Sequence, residues 1–451
     1  MKIMFYLFSG FVVLLVVVFF LVIKPRLPIA TGYAAKNLCS CVFVAGRDAD
    51  AALKDDLDFS LLPYTKTIVN YDDQCVTSSL WGMATQKAIY REGVGCTMVS
   101  ELSEKELRQQ PLPQVAVAPP PADSLYWPKG EKIADTIPAE IDAAALQAAM
   151  DLAFNPVPGG GTRGVVVVYR GQLIAEQYAP GFDKDTPQLG WSMTKSITNA
   201  LIGIMVKNGQ LELDAPVPFA EWQNDERKNI TLNNLLRMSS GLAWEEIYSR
   251  VSSATKMLYV KGDMANFVLN HPLKEAPGNY WEYSSGTTNL LSGLIRRQLG
   301  DQQAYLDFPR QALFNKLGMR SVTFETDAAG TYVGSSYVWA TPRDWARFGL
   351  LYLQDGTWDG ERILPRDWVK YTRTTAPAST GNYGAHFWLN ASGEVPSAPH
   401  DMYSCQGFQD QRVFILPTQQ IIIVRLGQND DKAFDFDNWL KHLLSAFPEV
   451  G

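Results

Sequence analysis

Apolar and polar positions follow two different periods along the second half of the chain. Strand-like apolar runs occur at residues 164–170 and 173–178, on either side of a Gly-Gln turn, and again at 411–416 and 420–426. Between these two pairs, apolar residues recur every three to four positions, which predicts helices. A sheet that starts before a helical stretch and is completed after it indicates an α+β fold rather than an alternating one. The predicted helices cover residues 139–154, 192–207, 232–238, 264–269, 288–299, 344–354, 367–372 and 433–447.

The start of the chain has a different pattern. Residues 4–23 form an almost unbroken apolar run, about the length that spans a bilayer as a helix. A Lys-Pro-Arg tripeptide follows at residues 24–26, without the small-residue cleavage site that ends a secretory signal. We therefore predict an uncleaved transmembrane signal anchor over residues 1–27, which makes the membrane a partner of the protein.

Four of the five cysteines fall in the first hundred residues. Cys39, Cys41, Cys75 and Cys96 follow the predicted anchor, and Cys405 stands far from them. Clustered cysteines beyond an anchor indicate up to two disulfides in an oxidising compartment, with a pairing that the sequence leaves open. Four reduced, buried thiols are the alternative. We therefore place the chain after residue 27 in the periplasm or outside the cell.

Composition divides the rest of the chain into three parts. The pattern of residues 28–108 predicts a small cysteine-containing domain, with a strand at 41–45 and a hairpin over 87–99. This domain carries no catalytic pattern, and we interpret it as a structural or docking appendage. Several prolines predict a stiff linker over residues 109–125. Residues 126–451 form the main domain.

Charge and motif content exclude several classes of function. The net charge of -7 argues against nucleic-acid binding. The four histidines lack His-x-x-x-His spacing and no Cys-x-x-Cys occurs, which argues against a zinc enzyme. No Gly-x-x-x-x-Gly-Lys-Ser/Thr phosphate-binding loop is present either. We therefore predict no metal and no cofactor, and a small-molecule substrate.

A candidate nucleophile lies at the start of one predicted helix, in the sequence Ser192-Met-Thr-Lys195. Three-residue spacing on a helix places both side chains on one face, about 5–6 Å apart at Cβ. A serine hydroxyl needs a base, and a lysine shielded from water loses its proton more easily. The helix N-terminus adds unpaired N–H groups and positive potential. The motif alone is weak, because residues 253–256 repeat it and a helix cap is the alternative role for Ser192.

Three further stretches follow the Ser-x-x-Lys motif in order. They are Leu-Leu-Arg-Met-Ser-Ser-Gly-Leu-Ala-Trp at 235–244, the region around Tyr283 at 277–289, and Gln-Gly-Phe-Gln-Asp-Gln at 406–411. With them the chain resembles the serine β-lactamase and penicillin-binding-protein superfamily. It resembles most the class C β-lactamase-like branch, which includes carboxylesterases and 6-aminohexanoate-dimer hydrolase. The resemblance covers roughly residues 130–447 and implies an antiparallel sheet flanked by helices, with a mostly helical subdomain.

The resemblance implies a serine hydrolase that forms an acyl-enzyme on Ser192. Lys195 would take the serine proton. Tyr283, with a pKa lowered by the nearby lysine, would pass a proton to the leaving group and later activate water. The backbone N–H groups of Ser192 and Phe408 would form the oxyanion hole.

The resemblance also implies substrate contacts at Tyr248, Ser285, Gln406 and Gly407. Tyr248 resembles a tyrosine that lies over the substrate in the aminohexanoate hydrolases, and an aromatic packed on a surface loop is its alternative. Ser285 stands where the family motif often has asparagine. Residues 405–407 read Cys-Gln-Gly and lack the lysine that helps to hold the substrate carboxylate in β-lactamases. We therefore expect amide or ester substrates rather than penicillins.

Two other functions stay open at this point. A non-catalytic binding or sensor protein of the same fold would use residues 28–108 to dock a partner, although it would have no chemical need for Ser192, Lys195 and Tyr283 together. A D-Ala peptidase acting on cell-wall peptides is the second, and the missing lysine weakens it. Cys405 is expected to be a small buried residue rather than a second nucleophile.

Overall fold

The structure is a computed structural model that describes residues 2–122, 124–430 and 432–449. The N-terminal part of the chain contains four helices and one small sheet within the described residues. These elements are α1 (Lys2–Val18), α2 (Leu27–Phe43), α3 (Ala49–Asp56), β1 (Thr65–Asn70), β2 (Cys75–Leu80), β3 (Met83–Arg91), β4 (Gly95–Met98) and α4 (Glu104–Arg108).

The apolar run at the start of the chain does not form one continuous α-helix. Helix α1 ends after 17 residues, and the chain continues through a π-helical turn at Phe19–Ile23 and a 3₁₀ turn at Lys24–Arg26. In the described ranges, no helix is both long enough and apolar enough to cross a membrane. The anchor predicted over residues 1–27 is therefore not supported.

Helix α2 packs on the small antiparallel sheet, whose strand order is β1-β2-β3-β4. The hairpin predicted over residues 87–99 is present as β3 and β4. The strand predicted at residues 41–45 is wrong, because most of this segment is the last turn of α2. Its apolar residues continue the helical spacing of Ala35 and Leu38, which are buried in the same cluster.

One disulfide joins α2 to β4, between Cys39 and Cys96. Cys41 and Cys75 carry free, buried thiols, so the second predicted disulfide does not form. They lie in two different apolar clusters, Cys41 in the cluster around α2 and Cys75 in the cluster that contains Ile89. Burial raises the pKa of Cys41 to about 12.

The main part of the chain adds a larger set of elements. In order they are α5 (Ala143–Ala153), β5 (Gly161–Tyr169), β6 (Gln172–Tyr178), β7 (Gln188–Leu189), α6 (Thr194–Lys207), α7 (Leu232–Leu236), α8 (Ser253–Val260), α9 (Met264–Leu269), α10 (Ser285–Leu299), α11 (Gln302–Pro309), α12 (Asn315–Leu317), β8 (Thr323–Phe324), β9 (Val338–Ala340), α13 (Pro342–Leu353), β10 (Thr357–Trp358), β11 (Glu361–Arg362), α14 (Trp368–Arg373), β12 (Trp388–Leu389), β13 (Tyr403–Gly407), β14 (Gln411–Leu416), β15 (Ile421–Gln428) and α15 (Phe436–Leu444).

A six-stranded antiparallel sheet organises this part, in the order β12-β13-β14-β15-β5-β6. The four predicted strands are present as β5, β6, β14 and β15. Pairing of β15 with β5, for example Val424 with Val166, closes the sheet across the helical stretch. The α+β prediction is therefore confirmed.

Strand β5 is buried on both faces, which explains its run of four valines. Val165 and Val167 pack in a cluster with residues of α5 and α15. Val166 and Val168 face the other side and pack in the cluster that contains α6 and α13. The sheet thus separates a small outer layer from the larger core that holds the candidate site.

The N-terminal part packs directly on the main part. The Lys36 ammonium of α2 lies 2.5 Å from the Glu325 carboxylate, and both are buried. The same carboxylate accepts hydrogen bonds from Ser40 Oγ at 2.7 Å, Cys96 N at 2.7 Å and Trp339 Nε1 at 3.0 Å. Residues 28–108 therefore share a buried polar contact with the main part.

The proline-rich stretch also contacts the main part. Residues 111–122, all of them described, form neither helix nor strand. The backbone N–H groups of Gln114 and Val115 donate to the carboxylate of Asp307, and the N–H of Ala118 donates to the side chain of Asn315. The stretch thus lies along α11 and α12. The boundaries at 28–108, 109–125 and 126–451 stay a prediction.

Candidate active site

The candidate nucleophile lies in a 3₁₀ turn at Trp191–Met193, directly before α6. Apolar residues at helical spacing bury most of α6, as the pattern predicts. Lys195, in the first turn of α6, is 1% exposed. Its Nζ lies 3.0 Å from Ser192 Oγ, so the two side chains of the Ser-x-x-Lys motif are in hydrogen-bond contact.

The backbone on both sides of the site adopts the left-handed conformation. Trp191, immediately before Ser192, has a φ of 48°, and Gln409, immediately after Phe408, has a φ of 60°. The indole Nε1 of Trp191 donates to Gln409 Oε1 at 3.2 Å, which ties the two strained residues together. Left-handed non-glycine residues persist only where their surroundings hold them, and they concentrate at functional sites. This link fixes the backbone N–H groups expected to form the oxyanion hole.

Lys195 is held in a cage of three oxygen atoms. Besides Ser192 Oγ, its Nζ lies 3.0 Å from Ser285 Oγ and 3.0 Å from the carbonyl oxygen of Ser335. Burial lowers the pKa of Lys195 to about 8, against the opposing effect of the Glu246 carboxylate. A lysine with this pKa is partly neutral near pH 7, and only the neutral amine accepts a proton.

Tyr283 also reaches the nucleophile. Its hydroxyl interacts with the Ser192 side chain, and its ring lies beneath Lys195 Nζ, 4.8 Å from the ring centroid. The rings of Tyr383 and Trp388 contact it at 5.9 and 5.5 Å. Burial raises the pKa of the hydroxyl. The lowered pKa predicted for Tyr283 is therefore wrong, and the phenol stays a proton donor at neutral pH.

Glu246 is a site residue that the motifs missed. Its Oε1 accepts hydrogen bonds from Ser285 Oγ at 2.5 Å and the Tyr248 hydroxyl at 2.6 Å. Its Oε2 accepts from the Ser285 backbone N–H at 2.9 Å and from Trp244 Nε1 at 2.5 Å. The available signal was the position of Glu246 in the sequence, two residues after the matched stretch 235–244 and two residues before Tyr248. Glu246 thus orients two of the predicted substrate-binding residues.

Ser285 lies in the centre of this hydrogen-bond network. It is the first residue of α10, which begins three residues earlier than predicted because the Ser284 side chain caps the helix at Thr287 N. Its hydroxyl donates to Glu246 and accepts from Lys195. Tyr248 approaches the same hydroxyl at 3.3 Å, while the side chain as a whole is 49% exposed. Both residues therefore adjoin the nucleophile, and their contacts with a substrate stay a prediction.

The edge-strand motif is at the end of β13. The Gln406 side chain donates to Ser404 Oγ at 3.0 Å. A Cβ on Gly407 would lie 2.2 Å from the carbonyl oxygen of Gly190, so glycine is needed for close approach of β13 to the chain before Ser192. Phe408 follows in a 3₁₀ turn, and it lines the same cavity as Ser192.

Two further groups near the site are excluded as nucleophile or base. Cys405 is buried in the core, and burial raises the pKa of its thiol to about 12, so it stays protonated and inert. His386 is buried against Lys195, with Nδ1 3.0 Å from the carbonyl oxygen of Lys195. Burial lowers the pKa of His386 to about 3, so its ring is neutral at physiological pH.

Comparisons with known proteins agree with this geometry. The β-lactamase family model matches residues 143–446. A 6-aminohexanoate-dimer hydrolase of Paenarthrobacter ureafaciens is 24% identical over an alignment of 294 residues, with a coverage of 59% of this chain and 72% of the relative. Two solved structures share the fold. A protein provisionally named 6-aminohexanoate-dimer hydrolase from Bacillus anthracis has a TM-score of 0.56 at 21% identity, covering 67% of this chain and 83% of its own. A class C β-lactamase mutant has a TM-score of 0.52 at 16% identity, covering 69% of this chain and 100% of its own.

The family match covers more than half of the chain and includes the whole six-stranded sheet and the network around Ser192. The order of its motifs agrees with the resemblance drawn from the sequence. The chain therefore belongs to the β-lactamase family, and it is a serine hydrolase.

Proposed function

We propose that the protein cleaves amide or ester bonds through an acyl-enzyme on Ser192. The observation that carries this proposal is the hydrogen-bonded chain Ser192–Lys195–Ser285–Glu246, with the Tyr283 hydroxyl beside Ser192 at its end. It places a partly neutral amine and a protonated phenol on the same hydroxyl. A nucleophile, a base and an acid in mutual contact are what acyl transfer requires.

In acylation, Lys195 acts as the base. The N–H groups of its neutral amine face Ser335 O and Ser285 Oγ, which leaves the lone pair for the Ser192 proton. Ser192 Oγ then bonds to the substrate carbonyl carbon. The negative charge that develops on the carbonyl oxygen is stabilised by the N–H groups of Ser192 and Phe408.

Collapse of this intermediate breaks the bond to the leaving group. The Tyr283 hydroxyl donates its proton to the departing nitrogen or oxygen, and the Lys195 ammonium returns a proton to Tyr283. Its raised pKa favours this role, because the phenol carries its proton at neutral pH. In deacylation, water attacks the ester carbon, Lys195 and Tyr283 remove its proton, and Ser192 regains its own.

The chemistry of the site supports amides and esters as substrates. Cys405, which is buried and uncharged, stands where β-lactamases carry the lysine that holds a carboxylate. The name of the curated relative, 6-aminohexanoate-dimer hydrolase, points to a linear amide. We therefore expect little activity on penicillins.

We also propose that the protein works outside the cytoplasm. The Cys39–Cys96 disulfide supports this location, because such bonds persist in oxidising compartments. Quenching host cells in acid, then unfolding the protein and alkylating its thiols without reductant, and counting the mass tags tests it. Three tagged thiols are expected from the five cysteines. Five tags would contradict the proposed location.

The mechanism is tested by Ser192→Ala, with Ser253→Ala of the second Ser-x-x-Lys sequence as its matched control. We expect wild type and Ser253→Ala to hydrolyse activated esters and to gain an acyl mass on rapid acid quenching. Ser192→Ala should show neither. Full activity in Ser192→Ala would refute the assignment of the nucleophile.

A further inference from the structure

A cavity of about 120 Å³ opens beside Ser192. Part of its apolar wall comes from the family domain, through side chains that include Leu258, Tyr259 and Phe408. The rest comes from Ile29, Tyr33 and Phe59, which lie outside the matched residues 143–446. The N-terminal part, which the sequence indicated to be an appendage, therefore completes a space next to the nucleophile.

Tyr33 is the central side chain of this wall. Its ring contacts Phe59 at 5.5 Å, Tyr259 at 5.5 Å and Trp191 at 6.0 Å between ring centroids. Trp191 is the left-handed residue next to Ser192. A change at Tyr33 is thus transmitted to both the cavity and the nucleophile turn.

Helix α2 is held firmly enough to serve as a wall. A Cβ on Gly32 would lie 2.9 Å from the carbonyl oxygen of Tyr259, so α2 packs against α8 with no space between them. The disulfide Cys39–Cys96 and the buried contacts to Glu325 fix the rest of the helix. A rigid wall discriminates between substrates by size, whereas a mobile one adapts to them.

The cavity faces the acyl part of a substrate. A leaving group must contact the hydroxyl that protonates it, and we assign that role to Tyr283. The described residues that line the cavity include Ser192 but neither Tyr283 nor Lys195. The group in the cavity is therefore the one that stays bonded to Ser192.

Volume and lining set the chemistry of that acyl group. An apolar cavity of about 150 Å³ accommodates benzene, which has six carbon atoms. In proportion, the cavity of about 120 Å³ has room for about five carbon atoms. The aromatic and aliphatic walls favour an uncharged chain.

We propose that Ile29, Tyr33 and Phe59 determine acyl specificity, and that they restrict the enzyme to amides and esters of short, uncharged aliphatic acids. This inference rests on the proposed function, since it assumes an acyl-enzyme on Ser192. The acyl pocket is thus completed by a part of the chain that the family domain does not contain.

The test measures kcat/KM for p-nitrophenyl esters from acetate to decanoate. The full chain is compared with Tyr33→Ala, Phe59→Ala and Tyr33→Phe, and with Tyr64→Ala, a 67% exposed tyrosine of the same N-terminal part, as the matched control. We expect the wild type to prefer butanoate to hexanoate esters. The two cavity-enlarging variants should raise the decanoate-to-butanoate ratio at least tenfold, about the discrimination of one methylene group in an apolar pocket. Tyr33→Phe and Tyr64→Ala should leave the ratio unchanged.

The outcomes separate this inference from the proposed mechanism. An unchanged ratio in active Tyr33→Ala and Phe59→Ala overturns the acyl pocket and leaves Ser192 as nucleophile. If no ester is hydrolysed, the mechanism fails, and the pocket is tested without catalysis by pressurising wild-type crystals with xenon, which binds apolar cavities. Xenon between Tyr33 and Phe408 supports the pocket, and an empty cavity overturns it.

Discussion

The pH dependence of catalysis tests the network around Lys195. Burial lowers its pKa from about 10.4 for a free lysine to about 8. This difference corresponds to about 3 kcal/mol against the charged form. At pH 7, roughly one molecule in ten then holds a neutral amine, compared with roughly one in 2,500 for a free lysine. We therefore expect kcat/KM to rise about tenfold from pH 6 to 7 and to level off above about pH 9.

The informative perturbation is Glu246→Gln. Glu246 is separated from the Lys195 amine by one hydroxyl, that of Ser285, and its charge raises the pKa of the lysine. At an effective dielectric constant of about 20, an opposite charge at this separation is worth about one pKa unit or more. Removing the charge should move the acidic limb of the pH profile down by about one unit. The substitution should also lower the plateau value of kcat/KM. The amide N–H₂ of glutamine would face groups that donate hydrogen bonds to the carboxylate in the wild type, and it cannot accept these bonds.

The assay is kcat/KM for one activated ester between pH 5 and 10 at constant ionic strength. Glu245→Gln is the matched control, because Glu245 is the adjacent, exposed carboxylate and forms an ion pair with Arg250. We expect the acidic limb of the pH profile of Glu245→Gln to coincide with that of the wild type. A limb that stays in place in Glu246→Gln, or moves equally in both variants, would refute the assignment of Lys195 as the titrating base.

Three further predictions concern the acid, the buried amine and the disulfide. Tyr283→Phe should lower kcat/KM by about 10²–10⁴-fold at neutral pH, since it removes a proton donor, while Tyr280→Phe on the surface should not. Lys195→Met should abolish turnover and yet raise the free energy of unfolding at pH 7 by up to about 3 kcal/mol. Between about pH 8 and 10.4 the folded wild type holds fewer protons than the unfolded chain, so the stability of the wild type rises with pH. Urea unfolding should therefore show a smaller stability advantage of Lys195→Met at pH 10 than at pH 7. Cys39→Ser should cost about 2–5 kcal/mol in urea unfolding, and the loss should be absent when both proteins are compared in reductant, because Cys96 is then unpaired in each.

Local sequence pattern was enough for the parts of the fold and site that depend on neighbouring residues. The valine run of β5, the later strand pair and the helices follow from apolar periodicity, since burial of one or both faces selects those spacings. The Ser192–Lys195 contact follows in the same way, because three-residue spacing at a helix start brings two side chains together whatever surrounds them. The proposed roles of Ser192, Lys195 and Tyr283 came from motif order, and they await the experiments above.

Properties that depend on distant residues were missed or wrongly predicted. Glu246 joins the site through α10 and α6, which are far from it in sequence, so no local pattern marked it. The sequence predicts a lowered pKa for Tyr283 because a lysine is near, but burial raises this pKa in the folded chain. Desolvation is set by every residue around a group, and it is the largest influence on the pKa of Tyr283.

The sequence by itself determined the α+β fold, the position of the nucleophile helix and the family to which the chain belongs. Only the tertiary structure decided which cysteines pair, which carboxylate orients the site and that the N-terminal part packs beside Ser192. Periodicity is a property of contiguous residues and can be read from their order. The packing of α2 against α8, by contrast, brings Tyr33 to Tyr259 across more than two hundred residues, and such a contact exists only in the folded chain.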